Sequence, residues 1–290
     1  MRAIAAPASL KGVLSAAAAA EALANGLRAG GAEAIAVPVA DGGDGTLEVL
    51  GGAVRRAEVS APLGGSVTAR WSLREDGTAI VESAEALGFH TVRELDPIRA
   101  SSRGLGELIL AAAREGRSLL VCLGGTVTVD GGAGMREVLR ELPLPTRAAC
   151  DVRSRLLDAA YVYARQKGAT AEQLDELAER LRGLPDVPGA GAAGGLGGAF
   201  AALGAELVPG AELVLDEIGF DPRGYDLVVT GEGAVDETTW AGKAPGEVVR
   251  RCRAAGVRCE LFSARHDFSG DPARAEEDLF ELGQRLAATG

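Results

Sequence analysis

The sequence predicts an α/β protein: a flavodoxin-like, doubly wound parallel sheet, discontinuous in the chain, with a mixed α/β domain inserted into it. Three observations point there. Short apolar runs alternate with helical stretches at both ends of the chain, the region between them reads as antiparallel hairpins, and polar residues gather just after the apolar runs.

The first run, Arg2–Pro7, leads into an alanine-rich helix over Ser15–Arg28, with Ser15 as N-cap and Gly30-Gly31 as the stop. A second run, Ala34–Val39, breaks off into Asp41-Gly-Gly-Asp-Gly-Thr46, after which Leu47, Val49 and Leu50 open another helix. From Arg55 the pattern changes. Val59, Val67, Ala69, Trp71 and Ile80 to Glu82 alternate around Leu63-Gly-Gly65 and Glu75-Asp-Gly77, the signature of hairpins. A helix over 104–115, a buried strand at Leu119–Leu123 and a glycine loop over Gly124–Gly134 follow. Thr170–Arg182 is amphipathic, with Leu174, Leu177, Ala178 and Leu181 on one stripe. Beyond the glycines of 183–198 the alternation returns with a strand at Asp226–Thr230, a helix at Pro245–Ala255, and strands at Val257–Ser263 and Asp278–Leu282. The end regions thus supply five strands, near 3–7, 35–39, 226–230, 257–263 and 278–282, the number in a flavodoxin-like sheet. The boundaries drawn from this are 1–55 with 210–290 for the flavodoxin-like domain and 56–209 for the insert.

Composition narrows the function. At 290 residues, 47% apolar and 24% charged, the chain has the makings of a packed core, and its net charge of −11 argues against nucleic acid as a partner. No run of about eighteen apolar residues exists to span a membrane, and Lys11 and Glu21 interrupt the alanine-rich start where a signal peptide would need an apolar stretch. Cys122, Cys150, Cys252 and Cys259 form no C-x-x-C pair, and the chain holds only two histidines, so no zinc spacing is present and the cysteines read as reduced packing thiols. A cytoplasmic protein with a small-molecule partner is expected, and a homodimer is allowed.

In an open parallel sheet, ligands bind beyond the carboxyl ends of the strands. Ser9 and Lys11 follow the first run, Asp41 and Asp44 the second, Thr230-Gly-Glu-Gly233 and Asp236 the third, His266 and Asp267 the fourth. Hydroxyls, ammonium groups and carboxylates on such a rim suit phosphoryl transfer, which needs cations or amides for phosphates and carboxylates for Mg²⁺ and the attacking hydroxyl. Lys243 stands just before Pro245, a residue suited to a first helical turn, so an ammonium and a helix N-terminus can address one anion. No Walker A loop or protein-kinase catalytic loop is present. Gly189-Ala-Gly-Ala-Ala-Gly194 fits G-x-G-x-x-G but follows Leu184-Pro-Asp-Val-Pro188 where a dinucleotide fingerprint needs a hydrophobic strand.

With these residues assembled, the chain resembles bacterial glycerate kinases of the two-domain type, a family with a flavodoxin-like domain interrupted by a restriction-enzyme-like one. The matching stretches are Ala6-Pro-Ala-Ser-Leu-Lys-Gly12, Pro38-Val-Ala-Asp-Gly-Gly-Asp-Gly-Thr46, Gly124-Gly125, Asp130-Gly-Gly-Ala-Gly-Met135, Cys150-Asp-Val152, Gln166-Lys-Gly-Ala169, Gly189–Gly197, Thr230–Gly233 with Asp236, and Gly242-Lys-Ala-Pro245. The resemblance implies ATP- and Mg²⁺-dependent phosphorylation of D-glycerate to 2- or 3-phosphoglycerate. Lys11, Asp41, Asp236 and Lys243 would then be catalytic, and Asp130 and Asp151 would hold the metal. Ser9, Gly42, Gly43, Gly124, Gly125, Gly131, Gly132, Lys167, Gly191, Gly194, Gly195, Gly231 and Glu232 would contact substrate or nucleotide.

The chain departs from the family pattern at Ala8, Val129, Arg153-Ser-Arg155 and Ala234, and it is shortened around Glu141–Thr146. Blander readings stand beside the catalytic ones: Asp41 as a helix cap, Lys11 as a solvated loop residue, Asp130 or Asp151 as the support of a glycine turn, His90 and His266 as surface residues. For the whole chain the rivals are a diverged member that binds a nucleotide or small acid without turnover, and a flavin or nicotinamide redox protein.

Overall fold

The computed structural model describes residues 1–289. The strands are β1 (Arg2–Ala5), β2 (Glu33–Ala36), β3 (Ala53–Ser60), β4 (Ser66–Leu73), β5 (Thr78–Glu82), β6 (Ser118–Leu123), β7 (Thr146–Cys150), β8 (Glu206–Pro209), β9 (Leu227–Glu232) and β10 (Arg258–Ser263). The helices are α1 (Ala16–Ala29), α2 (Thr46–Leu50), α3 (Ser83–Leu87), α4 (Arg103–Ala113), α5 (Ala133–Val138), α6 (Asp158–Tyr161), α7 (Leu174–Leu181), α8 (Ala192–Ala202), α9 (Gly210–Glu217), α10 (Ala244–Ala255), α11 (Ala264–Asp267) and α12 (Ala275–Ala288). The chain forms two compact units. One comprises residues 1–41, 48–50 and those from Ala211 onward, and the other comprises 42–47 and 51–210.

In the first unit the sheet runs β10-β9-β1-β2 with every pair parallel. Counted in order of appearance within the unit this is 4-3-1-2, the flavodoxin-like order without its fifth strand. Both faces are covered, which is why the strands read as near-continuous apolar runs. Ala3, Ala5, Leu227 and Val229 pack with Leu23 and Leu27 of α1 and Leu279 of α12, while Ile4 and Val228 pack on the other face with Leu215 of α9 and Val248 of α10. The Ser15 hydroxyl accepts the Ala18 N–H to start α1, and Gly30 ends it.

The expected fifth strand at 278–282 is instead part of helix α12. Ala275, Leu279, Leu282 and Leu286 recur at helical spacing, and Glu276, Glu277 and Asp278 fill the first turn, where acidic side chains favour the helix dipole. The helix is held against α1 by two glycines. A Cβ on Gly26 would lie 2.0 Å from the Phe280 carbonyl oxygen, and one on Gly283 would lie 2.5 Å from that of Leu23.

The second unit carries a six-stranded sheet in the order β3-β4-β5-β6-β7-β8. The β3–β4 and β4–β5 pairs are antiparallel, as the hairpin patterning expects, and the remaining pairs are parallel. Trp71, Leu105, Leu108, Ile109 and Phe200 anchor one core, and Leu156, Leu177 and Leu181 anchor another beneath α7. The glycine-rich stretch divides in two: Ala193, Gly194 and Gly195 take left-handed conformations, and regular helix follows from Leu196.

The close approach of α1 and α12 is testable. Gly26→Ala gains helix propensity of about 1 kcal/mol, yet the added methyl meets backbone that cannot rotate away. Urea denaturation should show a net loss of about 1–3 kcal/mol, and a neutral or stabilising result would contradict the packing described.

Candidate functional site

In the first unit the expected residues meet at the carboxyl ends of β1, β2 and β9. The strand order reverses at β1, between β9 and β2, so connections diverge there and leave a crevice for ligands. Glu232 ends β9, where its Oε2 accepts from Lys243 Nζ at 3.0 Å and its Oε1 accepts from the Thr239 hydroxyl at 2.6 Å. Lys243 is the N-cap residue of α10. The first N–H of that helix, on Ala244, donates to the Asp41 carboxylate. Asp41 therefore does cap a helix, and it also sits among charges: burial pushes its carboxyl above the ordinary value, the Ala244 N–H opposes this, Glu232 adds to it, and Lys11 and Lys243 pull the other way. Ser9 lies half-buried after β1, and Lys11 is exposed.

Lys11 also borders a cavity of about 310 Å³ lined mainly by apolar atoms, including Leu10, Val13, Gly233, Arg265 and Phe268. Sequence reading placed Gly233 on the rim without giving it a role, and it missed Arg265 and Phe268. The available signal was aromatic: Phe268 stacks on Phe262 at the end of β10, with ring centroids 5.5 Å apart.

The second unit gathers another set around a cavity of about 100 Å³. Gly124, Gly125, Asp151, Lys167, Gly191 and Gly194 all line it, together with Thr126 and Tyr163. Lys167 is only 4% exposed. Its Nζ donates to the Thr128 carbonyl at 2.8 Å and the Thr126 hydroxyl at 3.2 Å. Burial pulls its ammonium down to about 8, with Asp151 and Asp130 opposing. Asp151 lies over Gly124, where a Cβ would fall 2.5 Å from its Oδ2, and beside Gly43. Gly194 is obligatory, because its φ is +76° and a Cβ would sit 1.9 Å from the Thr128 carbonyl oxygen. Its neighbour Ala193, also on the cavity wall, is a non-glycine residue at positive φ, a strained state that clusters at functional sites.

Other expected residues do different work. Asp130 is buried, and it accepts from the N–H groups of Ser102, Gly132 and Gly134 and from the Ser102 hydroxyl. With its oxygens so engaged it is the support of a turn and does not fit a metal. Gly131, Gly132 and Gly195 lie off the cavity wall and make room for Leu181, Leu196 and Ala199. Gly231 is inside β9, its missing side chain filled by Phe262. Gly42 packs on Gly210 and Ala149. Asp236 is exposed and caps its own turn, where the Thr238 hydroxyl and N–H hold its carboxyl below the ordinary value. Among the described residues, no three His, Cys, Asp or Glu side chains come together to hold a metal ion.

His90 and His266 are exposed. Ala8 and Val129, where family polar groups are missing, are buried among apolar neighbours, so the changes leave packed surfaces. Sequence reading also passed over Glu82 at the end of β5. It is 2% exposed, accepts the Leu47 N–H of α2, and is pushed up to about 7 by burial. No helix among the described residues is long and apolar enough to cross a membrane.

The pattern of the glycerate kinase family matches residues 3–142 and 140–280. The chain belongs to the glycerate kinase family. The two matched stretches overlap at residues 140–142. A glycerate 2-kinase from Escherichia coli (strain K12) is 37% identical over 84% of this chain and 80% of its own, and a glycerate kinase from Bacillus subtilis (strain 168) is 36% identical over 89% and 83%. A crystal structure described as glycerate kinase 2 from Salmonella typhimurium LT2 superposes with a TM-score of 0.80 at 30% identity, covering 100% of this chain and 98% of that one. As a member of a kinase family, the chain is an enzyme of the phosphotransferase kind with an α/β, doubly wound fold.

The hold of Asp130 on its loop is testable. Asp130→Ala would strand three backbone N–H groups in a buried loop, at about 1–3 kcal/mol each, so urea denaturation should show a loss of about 3 kcal/mol or more. Near-wild-type stability with abolished Mg²⁺ dependence of activity would instead restore it as a metal ligand.

Proposed function

We propose that this protein transfers the γ-phosphoryl group of ATP to a hydroxyl of D-glycerate or a closely related hydroxy-acid. The observation that carries the reading is the cluster at the strand ends of the first unit, where Lys11, Lys243 and the start of α10 surround the half-buried carboxylate of Asp41, in a chain that belongs to this family. In the transfer, the substrate hydroxyl oxygen attacks the γ-phosphorus, the bond to the β,γ-bridging oxygen breaks, and ADP leaves. Asp41 takes the hydroxyl proton, and its raised pKa makes it a better proton acceptor than an ordinary aspartate. Lys11 and Lys243 offset charge on the transferring group.

The 310 Å³ cavity beside Lys11 has the size and apolar lining of a small-ligand site and suits the nucleotide base. Mg²⁺ often binds through one or two carboxylates and the substrate's own phosphates, so the lack of a carboxylate cluster among the described residues is compatible with it. Asp236, exposed and held ionised, fits such a role, and the ion would neutralise phosphate charge.

The test is ADP release on mixing D-glycerate with Mg-ATP, with phosphorus NMR of the product. Folded protein that turns over neither glycerate nor related acids would overturn the proposal. If the reading holds, Asp41→Asn should lower kcat by about 10²-fold or more, and Lys11→Ala by a comparable factor. The pH profile carries a sign. A carboxyl with a raised pKa gains its proton earlier on acidification, so kcat/KM should fall through a value above the ordinary aspartate pKa of about 3.9. Asp41→Asn should remove that limb from the residual activity.

A further inference from the structure

The second unit buries a carboxyl that the proposed transfer does not use. Glu82, 2% exposed at the end of β5, accepts the Leu47 N–H, and the Gly45 N–H is directed at it as well. Both donors belong to the segment 42–47, which lies in the same unit as Glu82. Among the described residues no cation pairs with this carboxyl.

The groups that face it are acidic or neutral on every side. Asp44 faces it from the segment, Glu85 from α3, and Cys122 from β6, where it stands opposite Glu82 in the parallel pair. Glu85 is engaged by the Arg70 guanidinium at 2.6 Å, and burial pushes the Cys122 thiol up, so it stays neutral. An ionised Glu82 would therefore sit out of water beside the Asp44 charge, with two amide dipoles as its compensation. Protonated, it avoids both penalties and still has an oxygen to accept from Leu47. The upward push on its carboxyl, to about 7, has this origin.

The segment is built so that it can respond. Gly42 and Gly45 take φ values of +84° and +89°, and α2 opens at Gly45 without a side-chain cap. The Thr46 hydroxyl is buried with no hydrogen-bond partner, and its N–H reaches the Gly43 carbonyl at 3.3 Å. Gly43 and Asp44 rest against Gly124 and Gly125, while the bonds that tie the segment to the end of β5 are those to Glu82.

We propose that protonated Glu82 is a latch for the 42–47 segment: neutral, it holds the segment against the end of β5, and without its proton it lets the segment open to water more readily. Once the segment opens, Glu82 is solvated and titrates near its ordinary 4.5. Between that value and about 7 the closed form keeps a proton that the open form has released, so rising pH favours opening across this window. Above it both forms are ionised and the effect levels off. The resemblance to the family assigns this segment to the site, so the bearing of the latch on catalysis rests on the kinase reading, whereas the latch itself does not.

Hydrogen exchange of the full chain, read by mass spectrometry from pH 5 to 8 and corrected for the intrinsic pH dependence of exchange, tests it. Protection of the amides at 45–51 should fall by about 10²-fold between pH 5 and 7 in the wild type. Glu82→Gln keeps the shape and an acceptor without the charge, and its protection there should change by less than about threefold. Asp44→Asn, at an exposed position, removes the facing charge; it should shrink the wild-type fall, and it decides the matter if Glu82→Gln does not fold. Protection at 45–51 that stays level in the wild type, or that falls equally in Glu82→Gln, overturns the latch. So does a fall of the same size in the amides of α4 and β6, which would place the effect on unfolding of the whole unit. None of these readings needs turnover, so the outcome stands apart from that of the kinase assay.

Discussion

The structure depends on one constraint: several of its charged side chains, Asp41, Glu82, Asp130 and Lys167 among them, are partly or wholly withdrawn from water, and each must be offset by a backbone dipole, a hydrogen bond or an opposite charge. Asp41 shows it in the first unit. Burial alone would protonate the carboxyl, and the Ala244 N–H with Lys11 and Lys243 works against that. The compensation couples the carboxylate to the fold, because the N–H belongs to the helix whose other side packs Val248 and Cys252 against the sheet. Shifting α10 would disturb the core and the carboxylate together.

The second unit meets the same constraint with glycines. A carbonyl such as that of Thr128 can reach Lys167 only if the chain around it lies close, and Gly194, which could not carry a Cβ there, permits the approach. Asp130 anchors the turn by collecting donors from two segments of chain, around Ser102 and around Gly132–Gly134. A glycine-rich loop here is therefore a device for bringing carbonyls and amides against charged side chains. It exposes fewer amides to a ligand than its composition suggests, since Gly131 and Gly132 already spend theirs on Gly194 and Asp130.

How far the sequence could be read follows from how local each signal is. β1, β2, β9 and β10 are apolar runs ended by polar residues, and their two-sided burial is visible in composition alone. The hairpins of β3 to β5 were legible from alternation and turn glycines. α12 was not: the short run from Asp278 to Leu282 read alone hides the helical spacing of Ala275, Leu279, Leu282 and Leu286, which packs against α1 at Gly26 and Leu23. β7 and β8 left no clear trace, for Thr146–Cys150 is threonine, arginine, alanine and cysteine, and its strand state comes from the pairing with β6 and β8. At the site, position after a strand singled out Lys11, Asp41 and Glu232, and the structure puts them near Lys243. It did not show how Asp130 and Gly231 are engaged within the fold, because whether a carboxylate is satisfied or a glycine is packed against depends on residues far away in sequence.

Glu82 shows the same physics where no sequence rule would look. Helix α2 is a single short turn opening at Gly45, which has no side chain to cap it, and the strand residue Glu82 supplies the acceptor for the Leu47 N–H. Burial raises the carboxyl to about 7, so the folded state holds a proton that the unfolded chain releases near its ordinary value of 4.5. Between those values folding takes up protons, and this group's contribution to stability declines as pH rises. The Asp-Gly-Gly-Asp-Gly-Thr segment is thus fastened at its helical end by a group that is most comfortable uncharged. A charged cap fully exposed to water would not have carried that penalty, but it could not have reached a helix start buried at Thr46 and Leu47. Depth, more than charge, selected glutamate at the end of β5.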